Sequence, residues 1–373
     1  MTHPLSAIVL AAGEGTRMRS SRPKPLHLIC GRPMVMHVLH ALAELPLALP
    51  VERTVVVVGH DAERVTKKVT EQSPGNLIVT FVEQTVQRGT GDAAAVGLTA
   101  FNDDDVDDTS TVIVVPGDAP LLRPETIADL VTRHEAANVA ATVLTARLDD
   151  PTGYGRVIRA KDGSVQRIVE QRDADADELA VTEVNTSIYC FRRDLLGPSL
   201  RVLSPDNAQG EYYLTDVIGV LRATGHRVGA VAVDDPAETH GVNDRWQLAL
   251  AERELRARTN RRWLLAGVTM LDPRQTFVDV TVDLGRDVTL YPGTILQGRT
   301  VVGDGCDIGP DTRLVDCVVG ANAVVENSVC RDAEIGPDAM VGPYAALAPG
   351  SVVGRNARTG PFYTGRAEDA DGR

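Results

Sequence analysis

An apolar residue followed by glycine recurs through the last third of this chain: Leu284-Gly285, Val302-Gly303, Ile308-Gly309, Val319-Gly320, Ile335-Gly336, Val341-Gly342 and Val353-Gly354. The intervals 302 to 308 and 335 to 341 are six residues, and 284 to 302 and 335 to 353 are eighteen, a multiple of six. A six-residue register of this kind predicts a solenoid of hexapeptide repeats with short flat sides. The apolar residue points inward, and glycine is expected to permit the corner. Stacked coils then bury one continuous core in a quasi-one-dimensional body. The pattern sets this region at residues 266–362. Residues 363–373 are polar and acidic and are expected to lack order.

The texture upstream, over residues 1–240, is different. Short apolar, β-branched runs occur at Ala7–Ala12, Thr54–Val58 and Thr111–Val115, with helical patterns such as Pro33–Leu45 and Pro124–Asn138 between them. Alternation of this kind predicts a mostly parallel sheet covered by helices on both faces. Such sheets bind ligands beyond the carboxyl ends of their strands, where a Gly13 loop and a Gly117-Asp118 pair both fall. Between the two regions, 241–265 reads as a linker, with an amphipathic helix over Asn243–Leu264 carrying Leu248, Leu250 and Leu255.

Charge and cysteine content narrow the function classes. There are 38 basic and 51 acidic residues, a net charge of −13. An acidic surface disfavours general nucleic-acid and anionic-membrane binding. No stretch reaches the roughly 18 apolar residues of a membrane span, and the N-terminus has no secretory pattern, so a cytoplasmic protein is expected. Cys30, Cys190, Cys306, Cys317 and Cys330 form no Cys-x-x-Cys pair and read as reduced, mostly buried thiols. His37 and His40 have no third ligand in register and read as one face of a helix. The acidic run Asp103–Asp108 reads as a solvated loop.

Three motifs carry chemistry. Leu10-Ala-Ala-Gly-Glu-Gly-Thr-Arg-Met18 ends a strand in small residues, which lets backbone N–H groups approach a nucleotide closely. It is neither a dinucleotide fingerprint, since Met18 stands at the third glycine position, nor a P-loop, since no Gly-Lys pair follows. Alone it reads equally as a plain turn. Arg17 and Lys24 add two cations suited to polyphosphate chemistry, or else two solvated surface charges. Asp118, after the Thr111–Val115 strand, is a candidate Mg2+ ligand, or part of a Gly-Asp turn. Gln84, followed by Gly89-Thr90-Gly91, offers an amide able to pair with a base edge.

Taken together these residues resemble the uridylyltransferase half of the bifunctional N-acetylglucosamine-1-phosphate uridylyltransferase / glucosamine-1-phosphate acetyltransferase family. The resemblance runs over residues 5–362. Its more specific stretches are Asp149-Asp-Pro-Thr-Gly-Tyr-Gly-Arg156 and Asn207-Ala-Gln-Gly-Glu-Tyr-Tyr-Leu-Thr-Asp216, supported by Ile168-Val-Glu170, Glu183-Val-Asn-Thr186 and Gly241-Val-Asn243. The resemblance implies a Rossmann-like nucleotidyltransferase domain followed by a short left-handed parallel β-helix. It implies that Leu10, Ala11, Ala12 and Gly13 line the nucleotide, that Gln84, Gly89 and Thr90 hold uracil, and that Gly117 lies beside them. Arg17 and Lys24 would stabilise the phosphates, Asp118 and Asn243 would hold Mg2+, and Gly155, Glu170 and Asn185 would contact the sugar. The substrates implied are UTP and a hexosamine 1-phosphate. The oligomer implied is a homotrimer through the β-helix.

The second half departs from the family. The solenoid is short and stops before the family's catalytic histidine segment. Tyr344-Ala-Ala-Leu-Ala-Pro-Gly350 has Ala348 where the family carries an arginine, and Gly365 stands at a functional lysine. Acetyl transfer is therefore expected to be absent. Asp92 stands where the family usually has histidine, which bears on base or sugar selectivity. The alternatives are another sugar 1-phosphate or dTTP as substrate, and a catalytically silent sensor that binds a UDP-sugar.

Overall fold

The structure, a computed structural model, describes residues 5–101 and 110–366. The Asp103–Asp108 run and residues 367–373 of the expected tail lie outside the described residues. The chain divides into two compact units, Met1–His27 with Pro33–Leu248, and Leu28–Arg32 with Ala249–Arg373.

The first unit is built on one sheet which, among the described residues, has nine strands. They are β1 (Leu5–Ala11), β2 (Val51–Val58), β3 (Val79–Glu83), β4 (Thr111–Pro116), β5 (Ala141–Arg147), β6 (Arg156–Arg159), β7 (Val165–Val169), β8 (Glu183–Arg192) and β9 (Val228–Ala232). Their order is β9-β5-β8-β4-β1-β2-β3, and β6 joins β8 and β7 beside this path. Strands β4, β1, β2 and β3 run parallel. Strand β8 is inserted antiparallel to β4 and β5. The apolar runs are strands because both their faces are covered. Ala7, Val9 and Ala11 pack with Val35 and Leu39 of one helix and Ile127 and Leu130 of another. Ile8, on the opposite face, packs in a second core with Ala93, Ala94, Leu196 and Val217. Fully burying a Val, Leu or Ile side chain is worth roughly 1.5–3 kcal/mol, so a one-residue slip of β1 would exchange the two cores at considerable cost.

The helices expected at Pro33–Leu45 and Pro124–Asn138 are Met34–Ala43 and Pro124–Ala137. His37 is buried on the first of these. Among the described residues no group of three or more His, Cys, Asp or Glu is placed to hold a metal. All five cysteines are free and buried. No helix among the described residues is long and apolar enough to cross a membrane.

The second unit stacks short strands into three parallel sheets, consistent with the expected β-helix. The inner column of one sheet runs Leu284, Val302, Val319, Ile335, Val353. Its steps are 302 − 284 = 18, 319 − 302 = 17, 335 − 319 = 16 and 353 − 335 = 18 residues, one coil each. All five side chains belong to one core. The last strand is Thr364–Gly365, paired with Ala346–Leu347, so the coil continues past the expected end at residue 362.

The expectation that the glycines turn the corners is corrected here. Of the seven, only Gly309 and Gly342 have left-handed backbones, with φ of 111° and 107°. The others answer to stacking. A Cβ on Gly285, Gly303, Gly320 or Gly336 would stand 2.6, 2.8, 2.5 or 2.6 Å from a backbone nitrogen of the next coil. Corners in that column are turned two residues later, by Asp287, Gly305, Asn322, Asp338 and Asn356, with φ between 57° and 68°. Asp and Asn tolerate the left-handed region better than other side chains.

The helix expected at Asn243–Leu264 is Arg245–Leu265. Its fully buried residues are Ala251, Thr259 and Asn260, and Leu248, Leu250 and Leu255 are half-buried. Asn260 accounts for part of this, since its amide donates to the Pro273 and Thr276 carbonyls at 2.8 and 2.9 Å.

Candidate active site

Four neighbouring parallel strands deliver the candidate residues to one sheet edge. The register pairs Leu10 of β1 with Pro116 of β4 and Ala11 with Val58 of β2. The ladder continues past the strand ends: Gly117 N–H donates to the Leu10 carbonyl at 2.8 Å, and Gln84 N–H to the Val58 carbonyl at 2.8 Å. Asp118, the Ala12-Gly13 loop and Gln84 therefore leave the sheet on the same side. Gly117 is tightly placed, since a Cβ there would sit 3.2 Å from both the Ala11 side chain and the Leu10 carbonyl. Gly13 is the opposite case. Its added Cβ would meet nothing within 4 Å, and the residue is exposed. Leu10 is half-buried, and Ala11 and Ala12 are buried beneath it in the strand and loop.

The charged residues assigned from sequence to two separate tasks form one cluster. Lys24 Nζ is paired with the Asp118 carboxylate and also donates to Asn243 Oδ1 at 2.8 Å. Arg17 Nη2 donates to the same Asn243 oxygen at 3.0 Å. Asn243 reaches this point because Val242 N–H donates to the Asp118 carbonyl at 2.9 Å, which pins the Gly241-Val-Asn243 segment to the end of β4. Its own N–H donates to Gln247 Oε1 at 2.7 Å. The cation-bearing loop is held from behind, where Arg245 donates to the Met18 carbonyl at 3.1 Å and Arg64 to the Ser21 carbonyl at 3.0 Å.

A cation-binding role is chemically sound here. Asp118 and Asn243 aim oxygens at a single positive group, the Lys24 ammonium, which stands where a second cation would compete for the same donors. One carboxylate and one amide oxygen suit Mg2+, which takes few protein ligands and completes its shell with water and phosphate. This donor set fits a divalent cation.

The sugar candidates form a second group. Asn185 N–H donates to the Gly155 carbonyl at 2.9 Å. A Cβ on Gly155 would lie 3.4 Å from both Glu170 carboxylate oxygens. Glu170 Oε1 accepts from the Thr215 hydroxyl at 3.1 Å. Burial raises the Glu170 carboxyl above its ordinary range; Thr215 opposes this, and the charges of Asp216, Asp173 and Glu211 add to it. Tyr154, next to Gly155 in the chain, is near enough to Asp118 to feel its charge, and sequence reasoning did not single it out. Burial raises its phenol, and the nearby Asp118 charge raises it further. The available signal was an aromatic residue set between Gly153 and Gly155.

The third group surrounds Gln84. Its side-chain nitrogen donates to Asp92 Oδ2 at 2.7 Å and to the Gly89 carbonyl at 3.2 Å. Gly89 precedes the helix Thr90–Leu98 with φ 108° and ψ 177°, a backbone open almost only to glycine. A Cβ there would also strike the Tyr212 carbonyl at 2.6 Å. Thr90 is exposed, but its hydroxyl oxygen already accepts from Leu214 N–H at 3.1 Å. In the long Asn207–Asp216 signature, Asn207 Oδ1 accepts from the N–H groups of Gln209 and Glu211, so that residue organises its own loop.

Comparison with known proteins bears on the family of the chain and its class of activity. The MobA-like NTP transferase domain family matches residues 7–211. The bifunctional protein GlmU of Thermobifida fusca (strain YX) is 49% identical over 336 residues, 90% of this chain and 68% of the relative. GlmU of Streptomyces coelicolor is 47% identical over 360 residues, 96% of this chain and 73% of the relative. GlmU of Mycobacterium marinum is 46% identical over 360 residues, 96% of this chain and 71% of the relative. The chain therefore belongs to the GlmU family and is a sugar-1-phosphate nucleotidyltransferase, of the kind that uridylylates N-acetylglucosamine 1-phosphate.

Proposed function

We propose that this protein transfers the uridylyl group of UTP to N-acetylglucosamine 1-phosphate, with Mg2+ held by Asp118 and Asn243, and releases pyrophosphate. The observation that carries this is the convergence of Arg17, Lys24, Asp118 and Asn243 at the carboxyl end of β1 and β4. The reaction needs no protein nucleophile. A phosphate oxygen of the sugar substrate, already an anion, attacks the α-phosphorus, and the bond to the pyrophosphate oxygen breaks. The chain's task is alignment and charge stabilisation. Leu10 to Gly13 present backbone to the nucleotide. Gln84, Gly89 and Thr90 hold the base, with Gly117 beside them. Arg17 and Lys24 stabilise charge on the transferring phosphate, and Lys24 exchanges its partners Asp118 and Asn243 for phosphate oxygens. Gly155, Glu170 and Asn185 receive the sugar, with Tyr154 closing the space toward Asp118. Asp118 and Asn243 would hold Mg2+, which would supply neutralisation of phosphate charge that these cations leave uncovered. A silent sensor would have no need of this complete set.

Pyrophosphate release with UTP, Mg2+ and a panel of sugar 1-phosphates tests the proposal. Release confined to N-acetylglucosamine 1-phosphate supports it. A stronger response to another sugar, or to dTTP, replaces the substrate, and no release with any pair leaves the sensor reading.

Two further readings concern the second unit. We infer that it does not transfer acetyl groups, on the basis of residues and not of chain length. Ala348 and Gly365, where the family resemblance carries Arg and Lys, are partners across one coil, with Ala348 N–H donating to the Gly365 carbonyl at 3.2 Å. Neither can hold a phosphate. Acetyl-CoA consumption with glucosamine 1-phosphate would refute this. We also infer a homotrimer through the β-helix. Val301, Val318 and Val352 point outward from one sheet and are 42%, 52% and 62% exposed, apolar surface interrupted by Glu334 between the last two and in need of cover. Light scattering that returned a monomer mass would remove that reading.

A further inference from the structure

We propose that Asp92 sets the base preference of the enzyme by fixing which way the Gln84 amide faces. The inference rests on the reading of Gln84 as the base contact. A glutamine amide carries a donor end and an acceptor end, and turning it over exchanges them. Here the turn is blocked chemically. Both neighbours of the amide nitrogen, Asp92 Oδ2 at 2.7 Å and the Gly89 carbonyl at 3.2 Å, can only accept. The reversed amide would set its oxygen against a carboxylate and a carbonyl oxygen, a repulsive contact that also costs the Asp92 carboxylate its Gln84 donor, in a residue only 4% exposed. Both N–H bonds are therefore used internally, and no donor among the described residues meets Gln84 Oε1.

What Gln84 offers a base is consequently an acceptor and nothing else. Uracil carries a hydrogen on N3 and can donate to it. Cytosine has a lone pair at N3 and is repelled. Without Asp92 the amide keeps only its longer contact to Gly89, and reversal would let it donate to cytosine N3. Thymine presents the same N3–H as uracil, so the device separates UTP from CTP and is neutral toward dTTP. Asp92 is a positioning residue, half-buried in the first turn of the helix Thr90–Leu98, and acts only through Gln84.

The test is the ratio of kcat/KM for UTP to that for CTP, with N-acetylglucosamine 1-phosphate as acceptor. Asp92→Ala is expected to lower the ratio about tenfold, mostly through KM, as loss of a ground-state binding contact does. Asp92→Leu, which keeps the volume without an acceptor, should do the same. Asp92→Asn retains an acceptor oxygen and should hold the ratio within about threefold. In a Gln84→Ala background, adding Asp92→Ala should change nothing further. If Gln84→Ala collapses the ratio while Asp92→Ala and Asp92→Leu leave it intact, the inference is overturned and the base contact stands. If Gln84→Ala itself leaves the ratio intact, the base-contact reading fails. A fall on adding Asp92→Ala to Gln84→Ala would mean that Asp92 meets the base directly, which also overturns the inference.

Discussion

Glycine is used in opposite ways in the two units. In the nucleotidyltransferase unit, Gly13 faces open space, and an added Cβ would touch nothing within 4 Å. In the solenoid, the Gly285, Gly303, Gly320 and Gly336 column is walled in by the next coil, with backbone nitrogen 2.5–2.8 Å from an added Cβ. Gly354, which ends that column, again has nothing within 4 Å. The missing side chain borders open space in one case and makes room for a neighbouring turn of the same chain in the other. A glycine motif therefore says that something comes close to the backbone. It does not say what.

Substitutions can break or sharpen this contrast. The largest expected effect lies in the ligand site. Lys24→Ala should cost about 2.7–4 kcal/mol in the barrier, roughly 100- to 1,000-fold in kcat, with the fold intact by circular dichroism. Asp118→Ala should act similarly and lose most Mg2+-dependent turnover. Near wild-type turnover at limiting Mg2+ would remove Asp118 from the metal site.

Gly320→Ala comes next and should act on stability. Its Cβ would stand 2.5 Å from Pro337 N and 2.9 Å from Gly336 C, atoms held by the stack. Forcing them apart should cost about 1–3 kcal/mol in chemical denaturation. Gly354→Ala, whose added Cβ would meet none of the described residues within 4 Å, should cost far less. Equal costs at the two positions would contradict stacking as the reason for glycine.

Gly13→Ala should do the reverse, leaving the denaturation midpoint unchanged and lowering kcat/KM for UTP roughly tenfold or more by displacing the nucleotide. A loss of stability without a loss of activity would place Gly13 among the structural glycines.

The smallest effect concerns Glu170. Burial holds its carboxyl above the ordinary value of 4.5, so ionising it in the folded protein carries a cost. That cost is absent below pH of about 4.5, where the group is protonated folded or unfolded, and grows as pH rises through the shifted value. Glu170→Gln should therefore match wild type in stability near pH 4 and modestly exceed it near pH 7, while binding the sugar phosphate less well. A variant less stable than wild type at pH 7 would show that the ionised carboxylate stabilises the fold.

Much of the candidate site was legible because its residues sit at strand ends, and strands buried on both faces announce themselves as apolar runs. Asp118 and Gly13 were found from β4 and β1 in this way. Asn243 was found only through family resemblance, since nothing local ties it to Asp118; the tie is a backbone bond from Val242. Tyr154 was passed over because its importance lies in its distance from Asp118, a long-range fact. On the linker helix the full burial of Asn260 could not be read from apolar periodicity, because it follows hydrogen bonds to the Pro273 and Thr276 carbonyls.

The sequence by itself determined the two architectures, because hydrophobic period is a local property: near-continuous apolar runs for a buried sheet, a six-residue register for a coil. The chemical class of the site came from several motifs matched together to one family, since each motif alone also read as a turn or as surface charge. The tertiary structure alone decided which groups meet. It brought the cations and the metal-ligand candidates into one cluster, gave Gly285, Gly303, Gly320 and Gly336 to stacking and most corners of their column to Asp and Asn, and tied Asp92 to Gln84. Each of these depends on contacts between residues distant in the chain or on the direction in which a side chain points, and hydrophobic pattern carries neither.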